Sequence, residues 1–86
     1  MKYGEEEKTM KNRMQIIRKT VVSSNLNSVG YNEETQELEV EFKRGLVVWR
    51  YAPVPIEVYQ NLLSSASPGK FFDSQVKRIY SGYKVH

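Results

Sequence analysis

Cysteine is absent from the 86 residues, and the single histidine, His86, is the last residue. The lack of cysteine excludes a disulfide framework, a thiol nucleophile and a thiolate metal site. With one histidine, at the end of the chain, we expect neither a histidine zinc site nor a Ser-His catalytic triad. No apolar run approaches the roughly 20 residues that span a bilayer, and the polar, acidic N-terminus does not fit a signal peptide. We therefore expect a cytoplasmic protein without a membrane anchor.

The sequence also has little that could carry catalysis. Gly69-Lys70 lacks the rest of a Walker phosphate loop, and the other glycines are scattered. Glu37, Glu39 and Glu41 alternate along a predicted strand, which is typical of a solvated face and not of a buried acid and base. Oxygen ligands held by a loop, as a hard cation requires, are missing. We expect no enzyme activity, no cofactor and no metal.

Charge is unevenly distributed along the chain, although the net charge is only +3. Residues 1–31 carry six basic and three acidic side chains, and residues 32–41 carry five acids and no base. Residues 42–86 carry seven basic side chains against Glu57 and Asp73. A largely basic surface outside one acidic strand is compatible with a polyanion partner as well as with simple solvation.

The central feature of the sequence is a predicted β-hairpin. Residues 37–42 alternate acid and apolar residue, so the apolar side chains share one face of a strand. Residues 46–51 are β-branched and aromatic, which predicts a second strand, and Lys43-Arg44-Gly45 is a three-residue link with Gly45 in a left-handed conformation. Because two strands alone are only marginally stable, the rest of the chain must pack against this hairpin.

Further strands are predicted before the hairpin and helices after it. β-branched residues predict a strand over residues 16–22, and the alternation of Val29 and Tyr31 predicts a short second strand. Two prolines end the sheet, and residues 56–63 predict a helix whose apolar stripe consists of Ile56, Tyr59, Leu62 and Leu63. A second helix is predicted from a Ser67 cap and Pro68, with an apolar stripe of Phe72, Val76 and Ile79.

These elements predict an α+β fold, in which an antiparallel β-meander of three to four strands is followed by two C-terminal α-helices packed on one face. We expect residues 1–14 to form a flexible or weakly helical N-terminal extension, because their apolar surface is too small for independent folding. Residues 15–82 form the single domain, and residues 83–86 form a tail.

Several short motifs follow one another along the chain: Ser23-Ser24-Asn25, Gly30-Tyr31, residues 38–42, Trp49-Arg50-Tyr51 with Val54-Pro55, and Gly69-Lys70-Phe71-Phe72. In this order they resemble the KTSC domain, over about residues 21–80. That family is named for the C-terminus of some lysyl-tRNA synthetases and also occurs as small stand-alone bacterial and phage proteins. The resemblance suggests RNA binding, in a bacterial cytoplasm or in that of a host if the chain is phage-encoded. Trp49 replaces the first tyrosine of the family's Tyr-x-Tyr motif, and Asp73 stands where the family often has asparagine.

The aromatic strand supplies three candidate binding residues. Trp49 and Tyr51 project to one face of the strand, and Arg50 projects to the other. Either both aromatic rings are core residues, or at least one ring is an exposed stacking platform for a base, and these interpretations predict opposite burial. Arg50 either pairs with a glutamate of the neighbouring strand or holds a phosphate.

The other candidates are basic or polar. Five basic side chains are either solvated or contact phosphates: Lys43, Arg44, Lys70, Lys77 and Arg78. Ser23, Ser24 and Asn25 form a turn through their side chains, and they are also candidates for ligand contacts.

We therefore expect a non-enzymatic binding module for RNA or a nucleotide-like anion, which uses the aromatic strand and the basic side chains. The alternative is a small phage-type protein-interaction or inhibitor module, including one that sequesters a host nucleotide signal. Such a module would bind a protein partner or self-associate through a sheet edge, the N-terminal extension or an oligomer interface. Steep weakening of binding with salt would distinguish polyanion binding from an apolar protein contact.

Overall fold

The computed structural model describes residues 16–85, in which five antiparallel strands and two helices form an α+β domain. The strands are β1 (Arg18–Thr20), β2 (Leu26–Asn32), β3 (Glu37–Phe42), β4 (Val48–Tyr51) and β5 (Gly82–Lys84), and they are neighbours in that order. The helices are α1 (Ile56–Ser64) and α2 (Pro68–Phe72), which continues as a π-helical turn, Asp73–Lys77. The predicted α+β class, meander and pair of C-terminal helices are confirmed. The predicted extension, residues 1–14, lies outside the described residues.

The hairpin of β3 and β4 forms with the expected alternation. Val40 is opposite Trp49 and Glu39 is opposite Arg50, so apolar and charged side chains separate onto opposite faces of the sheet. Gly45 has the predicted left-handed conformation, with φ +74°. The turn is longer than predicted, however, because Leu46 also has a positive φ of 52° and β4 begins only at Val48.

One face of the sheet carries the hydrophobic core. Residues at alternate positions of β2, β3 and β4 pack against residues of both helices and of the loop before α1. The buried cluster consists of Leu26, Val29, Leu38, Val40, Tyr51, Val54, Leu62, Phe72 and Val76. The two helices therefore lie on one face of the meander, as predicted.

The helix predictions are correct in position and differ in detail. Leu62 is fully buried, whereas Leu63 is 36% exposed, so the apolar stripe of α1 is narrower than expected. Ser67 precedes α2 without a side-chain capping hydrogen bond. Phe72 and Val76 are buried, but Ile79 is 59% exposed because the π-helical turn ends at Lys77 and Ile79 lies beyond it.

The sheet edges differ most from the predictions. The first strand covers only Arg18–Thr20, not residues 16–22. Tyr83 and Lys84, which were assigned to the tail, belong to β5, where Tyr83 pairs with Arg50 and Lys84 with Trp49. The chain returns from the helices to the edge of β4 and adds β5 there, so the sheet within residues 16–85 has five strands. None of the helices within residues 16–85 is long and apolar enough to span a membrane.

Candidate nucleic-acid interface

The two aromatic residues of β4 differ in burial. Both face the helices, but Tyr51 is only 5% exposed, and its ring meets the edge of Phe72 at a centroid distance of 5.3 Å. Burial, with a smaller contribution from the charge of Asp73, raises the pKa of the Tyr51 phenol above its usual value. Trp49 is half-buried and lies beside Tyr51, with ring centroids 6.2 Å apart and planes at 22°. Tyr51 is therefore a core residue, whereas Trp49 has accessible ring surface.

Two grooves meet at Trp49 and Phe42. The first has a volume of about 640 Å³, and Arg44 lines it together with Lys43 and Val47, so we call it the Arg44 groove. The second, the Lys77 groove, has a volume of about 430 Å³ and is also lined by Tyr51 and Tyr80. Because Trp49 and Phe42 line both grooves, the aromatic side chains form the boundary between them.

A third groove adjoins the Arg44 groove. It has a volume of about 800 Å³, and we call it the Lys70 groove. Ser24, Asn25 and Lys43 line both this groove and the Arg44 groove, so the two are adjacent. Asp73 is the acidic residue that lines it. We call the surface formed by the three grooves the basic rim.

The predicted basic residues fall into two groups. Four are exposed and line the basic rim: Lys43, Arg44, Lys70 and Lys77. None of these four forms an ion pair with any residue in the described range 16–85. Arg78 is exposed but lines none of the three grooves. The fold therefore brings together four of the five predicted phosphate contacts.

Arg50 lies on the opposite face of the sheet, away from the basic rim. Its Nε donates to Glu39 Oε1 at 2.7 Å, and this hydrogen bond is the main cause that raises the pKa of Arg50. Arg18 Nη1 donates to the other carboxylate oxygen of Glu39, which is only 3% exposed. Of the two uses predicted for Arg50, the structure shows pairing with a glutamate.

The Arg18 contact was not predicted from the sequence. Arg18, Gly30, Glu39, Arg50 and Tyr83 lie opposite one another across all five strands. Gly30 is closely covered, since a Cβ there would lie 2.5 Å from the carbonyl oxygen of Ile17. Only the strand order and register reveal that two arginines share one carboxylate. The signal in the sequence was the alternation of acids on β3, which marks a charged face without naming its partners.

Ser23-Ser24-Asn25 forms the predicted turn. The Ser23 hydroxyl accepts the backbone N–H groups of Asn25 at 3.2 Å and Leu26 at 3.1 Å, and it donates to Asn25 Oδ1 at 2.9 Å. A Cβ at Gly69 would lie 2.2 Å from Asn25 Oδ1, so this turn packs directly on the start of α2. Ser23 thus holds the turn, while Ser24 and Asn25 are exposed and line the Arg44 groove.

The described acids do not form a metal centre. No group of three or more acidic or histidine side chains within residues 16–85 has the arrangement of a metal site. Glu39 and Glu41 are instead engaged by Arg18, Arg50, Asn27 and Ser28. Glu39 thus pairs with Arg18 and Arg50, and Glu41 pairs with Arg18. The expectation of a solvated acidic face is wrong for Glu39, which is buried in the sheet.

Known proteins resemble this chain in both sequence and fold. The sequence model of the KTSC domain matches residues 22–80. The chain belongs to the KTSC domain family. It is 47% identical over 61 residues to an uncharacterised protein of Stutzerimonas stutzeri (strain A1501), a match that covers 71% of this chain and 84% of the relative. The crystal structure of a KTSC domain protein from Yersinia pestis superposes with a TM-score of 0.79 at 32% identity, covering 84% of this chain and all of the other.

The family motifs have distinct positions in this KTSC domain. The central aromatic motif, Trp49-Arg50-Tyr51, contributes one core ring, one half-buried ring and one arginine on the opposite face. The Ser23-Ser24-Asn25 turn and Gly69 contact each other beside the Lys70 groove. The Ser23-Ser24-Asn25 turn and Gly69 therefore both border the basic rim, although they are far apart in the sequence.

Proposed function

We propose that this KTSC domain is a non-enzymatic binding module for RNA or a nucleotide-like anion, and that the basic rim is its binding surface. The observation that carries the proposal is the position of Trp49. This half-buried ring separates two grooves and is flanked by basic side chains that pair with no described residue. An apolar ring beside cations that have no ion-pair partner within residues 16–85 matches the two parts of a nucleotide, its base and its phosphate.

The lining of the Arg44 groove suits a base. Phe42, Val47 and Trp49 provide apolar surface, and Ser24 and Asn25 provide hydroxyl and amide groups that can hydrogen-bond to a base edge. Lys43 and Arg44 border the same groove, within reach of a phosphate attached to that base. The groove thus combines stacking, hydrogen bonding and charge in one place.

The aromatic, basic and polar candidate residues have different roles in this site. Trp49 stacks on a base, Lys43, Arg44, Lys70 and Lys77 contact phosphates, and Ser24 and Asn25 contact the base or sugar. Tyr51 is a buried residue next to Trp49, and Ser23 stabilises the turn that carries Ser24 and Asn25. Arg50 stabilises the sheet through its hydrogen bond to Glu39. Arg78 is expected to stay solvated. The proposal includes a cytoplasmic location, where RNA and nucleotides are available.

The test is the affinity of a fluorescently labelled single-stranded RNA, measured by anisotropy at low salt. Trp49→Leu removes the ring, and since stacking of a base on an aromatic side chain contributes about 1–3 kcal/mol, we expect affinity to fall about 5- to 150-fold. Trp49→Phe retains a stacking surface and should bind within about threefold of the parent protein. Circular dichroism shows whether each variant is folded. Failure of the parent protein to bind RNA or nucleotides at low salt would refute the proposal.

Lys77 and Arg78 provide a matched pair of charge variants. They are adjacent in the sequence and carry the same charge, but only Lys77 lines a groove of the basic rim. Lys77→Gln should weaken RNA binding severalfold, whereas Arg78→Gln should leave it nearly unchanged. Equal losses for the two variants would show that general surface charge, and not the rim, attracts the RNA.

A second candidate function is protein interaction through the β1 edge. The observation in its favour is that Ile17 and Val22, on either side of this edge strand, are 83% and 95% exposed. β1 pairs with no strand other than β2 within residues 16–85, and such an edge between exposed apolar residues can accept a strand from a protein partner or a second copy. This function predicts an oligomer, or a complex, that persists at high salt. Native mass measured at low and high salt for the parent protein and Ile17→Ser distinguishes it from RNA binding.

A further inference from the structure

We infer that the basic rim binds an extended single strand of nucleic acid that occupies all three grooves, and not a mononucleotide held in one groove. This inference rests on the proposed function and adds the length and strandedness of the ligand. The arrangement that carries it is the sharing of walls between the grooves. Trp49 and Phe42 join the Lys77 groove to the Arg44 groove, and Ser24, Asn25 and Lys43 join the Arg44 groove to the Lys70 groove.

The charges are spread along this surface instead of meeting at one point. Lys77 lines the groove at one end, Lys43 and Arg44 line the middle, and Lys70 lines the groove at the other end. A pocket built for the phosphates of one nucleotide brings its cations to a single anion site. Cations distributed over consecutive grooves match instead the regular spacing of phosphates along a strand.

The position of the aromatic ring specifies a single strand. Trp49 is half-buried at the boundary between two grooves, so a base must turn its face toward the protein surface to reach the ring. In a duplex the base faces are stacked on one another and only the edges and phosphates are accessible. An unpaired base can leave the stack and lie on Trp49, while the backbone on either side continues toward Lys77 and Lys70.

One acidic residue reduces the positive charge of the basic rim. Four basic side chains and Asp73 line the three grooves, which gives a formal charge of +3 among these described residues. Asp73 lies in the Lys70 groove, so phosphate contacts are weaker there than in the middle. We therefore expect the strand to be held most firmly at Trp49, Lys43 and Arg44.

The experiment compares uridine monophosphate with oligouridylates of increasing length, up to about eight nucleotides, at several salt concentrations. Binding to single strands weakens with salt by a log–log slope of about −0.7 for each neutralised phosphate, so four contacts predict a slope of about −3. A mononucleotide lacks the condensed counterions of a strand, so its binding should depend only weakly on salt. We expect affinity to rise steeply with length until all three grooves are filled, and then to level off.

Variants at the two ends of the rim test the path. Lys77→Gln and Lys70→Gln should each reduce the affinity for the longest oligouridylate and lower the magnitude of its salt slope by about 0.7. Arg78→Gln is the control and should alter neither quantity. A blunt duplex of the same length should bind about tenfold more weakly than the single strand.

The possible results separate the inference from the proposed function. Uridine monophosphate that binds as tightly as the longest oligouridylate overturns the inference and retains the proposed function. Equal binding of duplex and single strand also overturns the inference. If none of these ligands binds, the proposed function itself is refuted. A length-dependent affinity with a slope of about −3 supports both.

Discussion

Replacement of Glu39 by glutamine is expected to destabilise the fold substantially. Glu39 is 3% exposed and accepts hydrogen bonds from Arg50, at 2.7 Å, and from Arg18. A hydrogen bond to a charged group contributes about 1.5–3 kcal/mol, and glutamine keeps one acceptor oxygen while turning N–H donors toward the other arginine. The side chains of Arg18 and Arg50 are 25% and 20% exposed, so they regain some hydration in the variant. This hydration limits the loss of stability. We expect the free energy of unfolding to fall by about 2–3 kcal/mol.

The assay is urea unfolding at neutral pH, with Glu37→Gln as the matched control. Glu37 belongs to the same row of acids but makes exposed contacts, with Thr35 at 3.0 Å and Tyr83 at 3.3 Å. Its replacement should change the free energy of unfolding by no more than about 0.5 kcal/mol. A double-mutant cycle of Glu39→Gln with Arg50→Gln should give a coupling energy of about 1–2 kcal/mol.

Two results would refute this reasoning. A loss below about 0.5 kcal/mol for Glu39→Gln would show that the two arginine contacts do not stabilise the sheet. An Arg50→Gln variant that is as stable as the parent protein but binds RNA more weakly would assign Arg50 to the ligand and not to Glu39. The expected result is the opposite, reduced stability with unchanged RNA affinity at temperatures where the variant is folded.

Two further predictions concern packing and pH. Gly69→Ala places a Cβ 2.2 Å from Asn25 Oδ1, so the Asn25 side chain must move and lose its hydrogen bond from Ser23, and urea unfolding should show a loss of about 0.5–1.5 kcal/mol; an unchanged stability would contradict the contact. Burial raises the pKa of Tyr31, Tyr51 and Tyr59 above the usual value of about 10, so their neutral forms favour the folded state. Stability from these groups is complete below about pH 10 and is lost as the pH rises through the raised pKa values. Urea midpoints that do not fall above about pH 10 would contradict this prediction.

The hairpin could be predicted because its signals are local. Strict alternation on β3 identified which side chains share a face, and Gly45 identified the turn, but the expected solvated face is wrong for Glu39, which is 3% exposed. The start of β4 could not be predicted, since Leu46 is an apolar residue whose positive φ is unusual outside glycine. A preference for strand residues therefore placed the boundary two residues too early.

The fifth strand depends on tertiary structure that the sequence pattern does not contain. Gly82–Lys84 has three exposed residues and no apolar alternation. It pairs with β4 because the helices return the chain to that edge, and Gly82 allows a close approach in which a Cβ would lie 2.3 Å from the Tyr51 ring. A short edge strand of this kind is indistinguishable from a tail in the sequence alone.

The candidate site could be predicted by residue type but not by arrangement. Aromatic and basic residues indicated a polyanion surface, and the fold places Trp49 beside Lys43 and Arg44. Spacing along the chain could not show that Lys77 lies near Trp49 or that Arg78 does not line the rim. Nor could it show which ring of the aromatic motif is covered by α2, because Trp49 and Tyr51 share one face of the strand.

The most direct test of RNA binding at the basic rim is the intrinsic fluorescence of Trp49, since it is the only tryptophan in the chain. Titration with a single-stranded RNA should quench this fluorescence to saturation, at the same RNA concentrations that saturate binding of the labelled RNA, and added salt should reverse the quenching. RNA binding at the basic rim is contradicted if labelled RNA binds while the fluorescence of Trp49 does not change, or if no binding occurs at low salt.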